Sequence, residues 1–170
     1  MQGKLKTPDT DLIELSGKWV YKRPKKLSSI KVNGTRYKVK EGEYNTASGL
    51  DYMVMENTQT GELSMVFEDT QGGKDIVTDG TLPGSVPNTQ LKAANEAYEK
   101  ESKKYDIKNV SGNSLGGGLA NYVASNNEDV RSVTYNPAIL PEGDYDKNNP
   151  RITNYLSEYD PLNLGERGMG

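Results

Sequence analysis

Apolar and polar positions follow two different periods in the first quarter of the chain. Residues 11–21 carry Leu12, Leu15 and Trp19 at helical spacing, which predicts an opening helix. Polar and apolar residues then alternate in 29–32 and 36–39, as they do in strands with one covered face. An Asn-Gly pair between these two runs is typical of a tight β-hairpin turn.

The pattern continues with a second predicted hairpin and a long helix. Segments 50–56 and 62–68 are predicted strands joined by a turn at 57–61. Residues 69–88 are rich in Gly, Pro, Thr and Asp, and so long a loop is either a lid or binding loop or an ordinary surface excursion. A helix capped by Asn88 or Thr89 is predicted to run to about Tyr105.

Residues 112–116 read Gly-Asn-Ser-Leu-Gly, which matches the Gly-x-Ser-x-Gly pattern of a nucleophile elbow. In an elbow the serine lies on a strained turn, and Gly112 and Gly116 are expected because larger side chains would collide there. The preceding segment 106–111 suits a buried strand, and 115–124 has helical spacing. This context makes Ser114 the candidate nucleophile; the alternative is a glycine-rich loop with an incidental serine.

The sequence contains no histidine, the general base of a Ser-His-Asp triad. Without a base the hydroxyl of Ser114 is a poor nucleophile, and loss of a triad base costs about 10⁴ to 10⁶ in turnover. No Ser-x-x-Lys motif includes Ser114, so a lysine base has little support.

Segment 110–124 resembles the nucleophile segment of class 3 lipases, a branch of the α/β-hydrolase fold, and 132–138 is similar to the next strand of that family. The resemblance covers roughly residues 11 to 165. It implies an α/β-hydrolase-like fold of the class 3 lipase type, with a mostly parallel sheet flanked by helices and with N-terminal β-hairpins. It also implies hydrolysis of carboxylic esters, with lipid or phospholipid as the substrate.

The family resemblance also supplies candidates for the oxyanion hole. Segment 65–71 is similar to the strand and loop that carry it, although Glu68 and Asp69 replace the usual arginine-glycine pair. Thr70 matches the position of the oxyanion-stabilising residue. The backbone N–H groups of Leu115 and Thr70 are therefore the predicted oxyanion donors.

Segment 152–162 resembles the family segment that ends in the triad acid, which matches Asp160 to the catalytic carboxylate. Glu158 and Asp160 as a pair would also suit glycosidase chemistry, a minor alternative. The triad histidine should follow Asp160 and does not, and Asn113 stands where the family usually has a second histidine.

The missing base is compatible with two kinds of protein. One is a chain truncated before its histidine, including the case in which another chain supplies that residue. The other is a domain that has lost catalysis and serves as a binding or regulatory module on the same scaffold. We expect residues 1–170 to form a single domain that is incomplete at its C-terminus.

Composition limits the remaining classes. No stretch approaches about 20 apolar residues, and the N-terminus lacks the apolar core of a secretion signal, so the chain as given is expected to be soluble and cytoplasmic. There is no cysteine, and neither a cofactor nor a metal is expected.

One segment is strongly basic: residues 18–40 contain nine lysines and arginines and no acid, within a chain of net charge -3. Such a segment suits an anionic membrane surface as a partner. Alternation along hairpin strands instead favours charges that simply face water, and nucleic acid is not an expected partner.

Overall fold

The computed structural model describes residues 6–44, 46–68, 86–140 and 149–157. Within these ranges seven strands form one sheet. The strands are β1 (Ser29–Val32), β2 (Thr35–Glu43), β3 (Tyr52–Asn57), β4 (Leu63–Phe67), β5 (Ile107–Asn113), β6 (Arg131–Tyr135) and β7 (Ile152–Tyr155). The α-helices described are α1 (Asp9–Glu14), α2 (Asn88–Ser102) and α3 (Leu115–Asn126).

The strands lie in the sheet in the same order as in the sequence. The pairings from β1 to β4 are antiparallel, and those from β4 to β7 are parallel. The expectation of a mostly parallel sheet was therefore wrong: the sheet is mixed. Strand β4 connects the two N-terminal hairpins to the parallel strands. Its Phe67 pairs with Tyr52 of β3 on one side and with Gly112 of β5 on the other.

Both predicted hairpins are confirmed. At the tip of the first, Asn33 has φ 49° and Gly34 has φ 87°. Two successive positive φ angles are the signature of a type I′ turn, whose twist matches that of the flanking strands. The Asn-Gly pair thus sets the register of β1 against β2, with Val32 opposite Thr35.

Two helix predictions need correction. The opening helix is shorter than expected, because α1 ends at Glu14 and the chain continues as a π-helical turn (Leu15–Trp19) and a 3₁₀ turn (Val20–Lys22). The second helix is not capped by Asn88 or Thr89. Its N-cap is Pro87, whose backbone is extended (φ -60°, ψ 140°) and which provides no side-chain cap.

The sheet has a hydrophobic core on each face. In β3, Tyr52 and Val54 face the core that contains apolar residues of α2 and α3, whereas Met53 and Met55 face the core beneath α1. Both faces of β3 are therefore covered. Burial of each such side chain stabilises the fold by about 1.5 to 3 kcal/mol, and it fixes the strands that carry the site.

Candidate functional site

Ser114 is the single residue between β5 and α3, at the carboxyl end of the strand. Its backbone has φ 58° and ψ -118°, a conformation that costs a non-glycine residue about 1 to 3 kcal/mol. Its N–H donates to the carbonyl oxygen of Tyr135 in β6 at 3.1 Å. The predicted strand, strained turn and helix are confirmed as local structure, and the chemical role of Ser114 stays a prediction.

The carbonyl oxygen of Ser114 holds the turn in place. It accepts hydrogen bonds from the N–H groups of Gly117 at 2.9 Å and Gly118 at 3.1 Å, in the first turn of α3. It also accepts one from the N–H of Ala138 at 2.9 Å, beyond the end of β6. Two separate segments of the chain thus hold Ser114 in its strained conformation.

The glycines around Ser114 allow the backbone to approach itself closely. A Cβ atom on Gly112 would lie 2.1 Å from the carbonyl carbon and oxygen of Gly116. A Cβ on Gly117 would lie 3.0 Å from Pro137, and one on Gly118 would lie 2.8 Å from a methyl group of Val86. The steric requirement predicted at Gly112 is therefore visible in the structure, and that at Gly116 stays a prediction.

The structure describes only one of the two predicted oxyanion donors. Leu115 is the first residue of α3, so its N–H has no acceptor within the helix and lies at the positive end of the helix dipole. That position suits an oxyanion donor, a role that stays a prediction. The other two predicted site residues, Thr70 and Asp160, lie outside the described residues.

A cleft of about 630 Å³ opens beside Ser114. It is lined by Asn113, Ser114, Leu156 and the segment 135–139. Ile139 and Leu156 are 68% and 66% exposed, so the cleft presents aliphatic surface. None of the described lining residues is a carboxylate, a lysine or an arginine.

The sequence pattern did not identify Asn136 as part of the site. Its backbone is left-handed, with φ 46°, and its N–H donates to the carbonyl oxygen of Tyr155 at 2.8 Å. Its side-chain amide donates to the hydroxyl of Ser157 at 3.1 Å and accepts from the N–H of Ser157 at 2.9 Å. Asn136 therefore fixes the path of the chain just after β7. An asparagine directly before Pro137 was the available signal, because asparagine tolerates left-handed backbone in turns.

An ion cluster with two buried carboxylates and a 40% exposed guanidinium lies at the end of β4. The guanidinium of Arg23 donates to both oxygens of Glu68, at 3.2 and 3.3 Å, and lies 3.0 Å from Asp51. Burial raises the pKa of Glu68, and Arg23 lowers it only in part. The guanidinium that contacts Glu68 thus comes from a segment 45 residues earlier in the chain.

In the described part of the chain, no three or more Asp and Glu side chains are grouped so as to hold a metal ion. Among the helices in the same ranges, none is long and apolar enough to cross a membrane.

No protein-family model matches the sequence, and no curated protein is similar to it in sequence. The structure is similar to the native Rhizomucor miehei lipase propeptide complex, with a TM-score of 0.50 and 17% identity over 76% of this chain. This chain spans 50% of the length of that solved chain. A deletion mutant of the same complex has a TM-score of 0.42, with 18% identity over 59% of this chain and 40% of its own. A fungal lipase-inhibitor complex has a TM-score of 0.35, with 16% identity over 59% and 48%.

The first of these likenesses supports a lipase-related α/β fold. The mixed sheet with helices on its faces agrees with that class.

Proposed function

We propose that this chain is the nucleophile-bearing part of a class 3 lipase-type α/β-hydrolase that acts on carboxylic esters of lipids or phospholipids. The observation that carries the proposal is the conformation of Ser114, a strained residue between β5 and α3 that borders an apolar cleft. Strain of this kind at a serine on a strand-to-helix turn is the mark of a nucleophile elbow.

The proposed reaction has two steps. The Oγ of Ser114 attacks the ester carbonyl carbon, its proton passes to a base, and the alcohol leaves with that proton, so that an acyl-serine forms. Water, deprotonated by the same base, then attacks the acyl carbon, releases the carboxylic acid and restores the hydroxyl. The N–H groups of Leu115 and Thr70 stabilise the oxyanion in both steps.

The base in this proposal is a histidine from outside the 170 residues, oriented by Asp160. It comes from further polypeptide of the same protein or from another chain. The chain contains no histidine, and the described residues that line the cleft include no carboxylate and no lysine. Residues 1–170 are accordingly proposed as one domain that is incomplete at its C-terminus. A protein partner agrees with the solved neighbour, which is a lipase propeptide complex.

The absence of histidine also favours a second candidate, a binding or regulatory module that retains the cleft and has no catalytic role. The two candidates differ in whether Ser114 can react when a base is provided.

The test is intact-mass measurement after exposure to a fluorophosphonate, with and without added imidazole. Imidazole is the side-chain base of histidine and is small relative to a cleft of about 630 Å³. Ser114→Ala removes the proposed nucleophile, and Ser125→Ala is the matched control, because that serine lies in α3 away from the cleft lining.

We expect one adduct that depends on imidazole, is absent from Ser114→Ala and is retained by Ser125→Ala. An adduct without imidazole would place a substitute base within the chain. No adduct under either condition would refute an activatable Ser114 and favour the binding module.

A further inference from the structure

Leu27 occupies a position that disfavours leucine for two reasons. The carbonyl oxygen of Lys25 accepts a hydrogen bond from the N–H of Ser28 at 3.0 Å, which closes a β-turn with Lys26 and Leu27 at its centre. Leu27 has φ 74°, the positive angle required at the third residue of a type II turn, where glycine or asparagine is usual. Its side chain is also 67% exposed. A strained and exposed aliphatic side chain points to a role outside the folded monomer.

Two cations lie on the strands that follow this turn. Lys31 of β1 and Arg36 of β2 lie directly opposite each other and are both exposed. Like charges in opposite positions of a strand pair destabilise a sheet. Neither of these side chains, nor that of Lys25, forms an ion pair with any residue that the structure describes. The arrangement leaves positive charge available to an anionic partner.

We propose that this outer surface, formed by Lys25, Leu27, Lys31 and Arg36 and here called the β1 edge surface, docks the protein onto an anionic membrane. The cations would contact lipid phosphate and carboxylate groups, and Leu27 would enter the boundary between headgroups and acyl chains. This inference does not depend on the proposed esterase function, because binding is measured without turnover.

Two alternative roles would use the charges and give Leu27 no function. Lysines on an outer strand protect it from pairing with other chains, but a polar residue would serve that purpose better than an exposed leucine. A nucleic-acid surface would use the cations for phosphates and commonly adds aromatic groups for stacking, and an exposed aliphatic side chain contributes to neither contact. An anionic lipid surface uses both the charge and the leucine.

The test is co-sedimentation of the full chain with phosphatidylcholine vesicles that contain or lack phosphatidylserine. The charge variant is Lys31→Gln with Arg36→Gln. Its matched control is Lys92→Gln with Lys103→Gln, two exposed lysines of or next to α2 that make no ion pair with described residues. The apolar variant is Leu27→Gly, which suits the positive φ and therefore cannot lose binding through unfolding.

We expect binding that requires phosphatidylserine and weakens with salt. The charge variant should bind about 25-fold more weakly, since each cation near an anionic surface contributes about fivefold, and the control should bind like the original chain. Leu27→Gly should bind about fivefold more weakly while its Tm rises by about 2 °C, because the strained leucine is removed.

Four outcomes would overturn the proposal. The first is equal binding to vesicles that lack phosphatidylserine, and the second is no binding to any vesicle. The third is an equal loss of vesicle binding in the α2 control variant. The fourth is retention of the protein on duplex DNA at a salt concentration that leaves vesicles unbound.

Discussion

The N–H of Ala138 donates a hydrogen bond to the carbonyl oxygen of Ser114 at 2.9 Å. This contact joins the turn after β5 to the segment that follows β6, two parts of the chain that both line the cleft. Since Ser114 also donates to Tyr135 in β6, the strained turn depends on the parallel pairing of β5 and β6. The site geometry is therefore a property of the sheet as much as of the Gly-x-Ser-x-Gly segment.

The strain at Ser114 can be measured as stability. Glycine adopts φ 58° and ψ -118° without a Cβ clash, so Ser114→Gly should raise the free energy of unfolding by about 1 to 3 kcal/mol. Ser114→Ala keeps the Cβ and should change it little. Urea unfolding of the two variants gives the difference, and equal stabilities would mean that the turn is not strained.

The close approach at Gly112 makes a second prediction. Gly112→Ala places a Cβ 2.1 Å from the backbone of Gly116, which cannot move like a flexible side chain, and should destabilise the protein by about 3 kcal/mol or more. Gly17→Ala is the control, because a Cβ there meets nothing within 4 Å and lies in a helical turn. That variant should gain about 0.5 to 1 kcal/mol. Thermal unfolding of both distinguishes a local clash from a general intolerance of alanine.

The buried carboxylate of Glu41 should make stability depend on pH. Burial acts to raise its pKa, but hydrogen bonds from Tyr105 at 2.6 Å and Lys104 at 3.3 Å outweigh burial and hold the pKa below its usual 4.5. As the pH falls, Glu41 is therefore protonated at a higher pH in the unfolded chain than in the folded chain. The stabilisation is complete above pH 4.5 and is lost as the pH falls through the lowered pKa of the folded state.

Glu41→Gln should accordingly cost about 1 to 3 kcal/mol at pH 7, and the difference from the original chain should shrink as the pH falls below 4.5. Urea unfolding at several pH values measures it. Glu56→Gln, which removes a partly exposed ion pair with Lys40, should cost less than about 1 kcal/mol. A Glu41 effect that stays constant down to pH 3 would contradict the assignment.

The hydroxyl of Tyr52 donates to the fully buried carboxylate of Glu101 at 2.6 Å. Tyr52→Phe removes that donor and should cost about 1 to 3 kcal/mol, because Glu101 then keeps, among the described residues, only its ion pair with Lys104. Tyr122→Phe is the control: its hydroxyl makes no hydrogen bond within the described ranges, and its loss should stay within about 0.5 kcal/mol. Similar losses in both variants would show that Glu101 does not need the tyrosine.

Much of the local structure was predictable from the sequence because it depends on near neighbours. The Asn33-Gly34 turn, both hairpins, and the strand and helix on either side of Ser114 follow from turn chemistry and apolar periodicity. Two helix predictions were wrong. The N-cap of α2 is Pro87 and not Asn88 or Thr89. The helix that begins at Asp9 changes to a π-helical turn and a 3₁₀ turn after Glu14.

By itself, then, the sequence determined the type and approximate position of most elements, the serine in its glycine setting, and the lack of histidine. Only the tertiary structure decided that the hairpins extend the parallel strands into one mixed sheet, that Arg23 pairs with Glu68 from 45 residues away, and that segment 135–139 borders Ser114. The physical reason is that periodicity reports which face of an element avoids water. Which elements then meet depends on burying all such faces together while every buried charge and backbone group finds a partner.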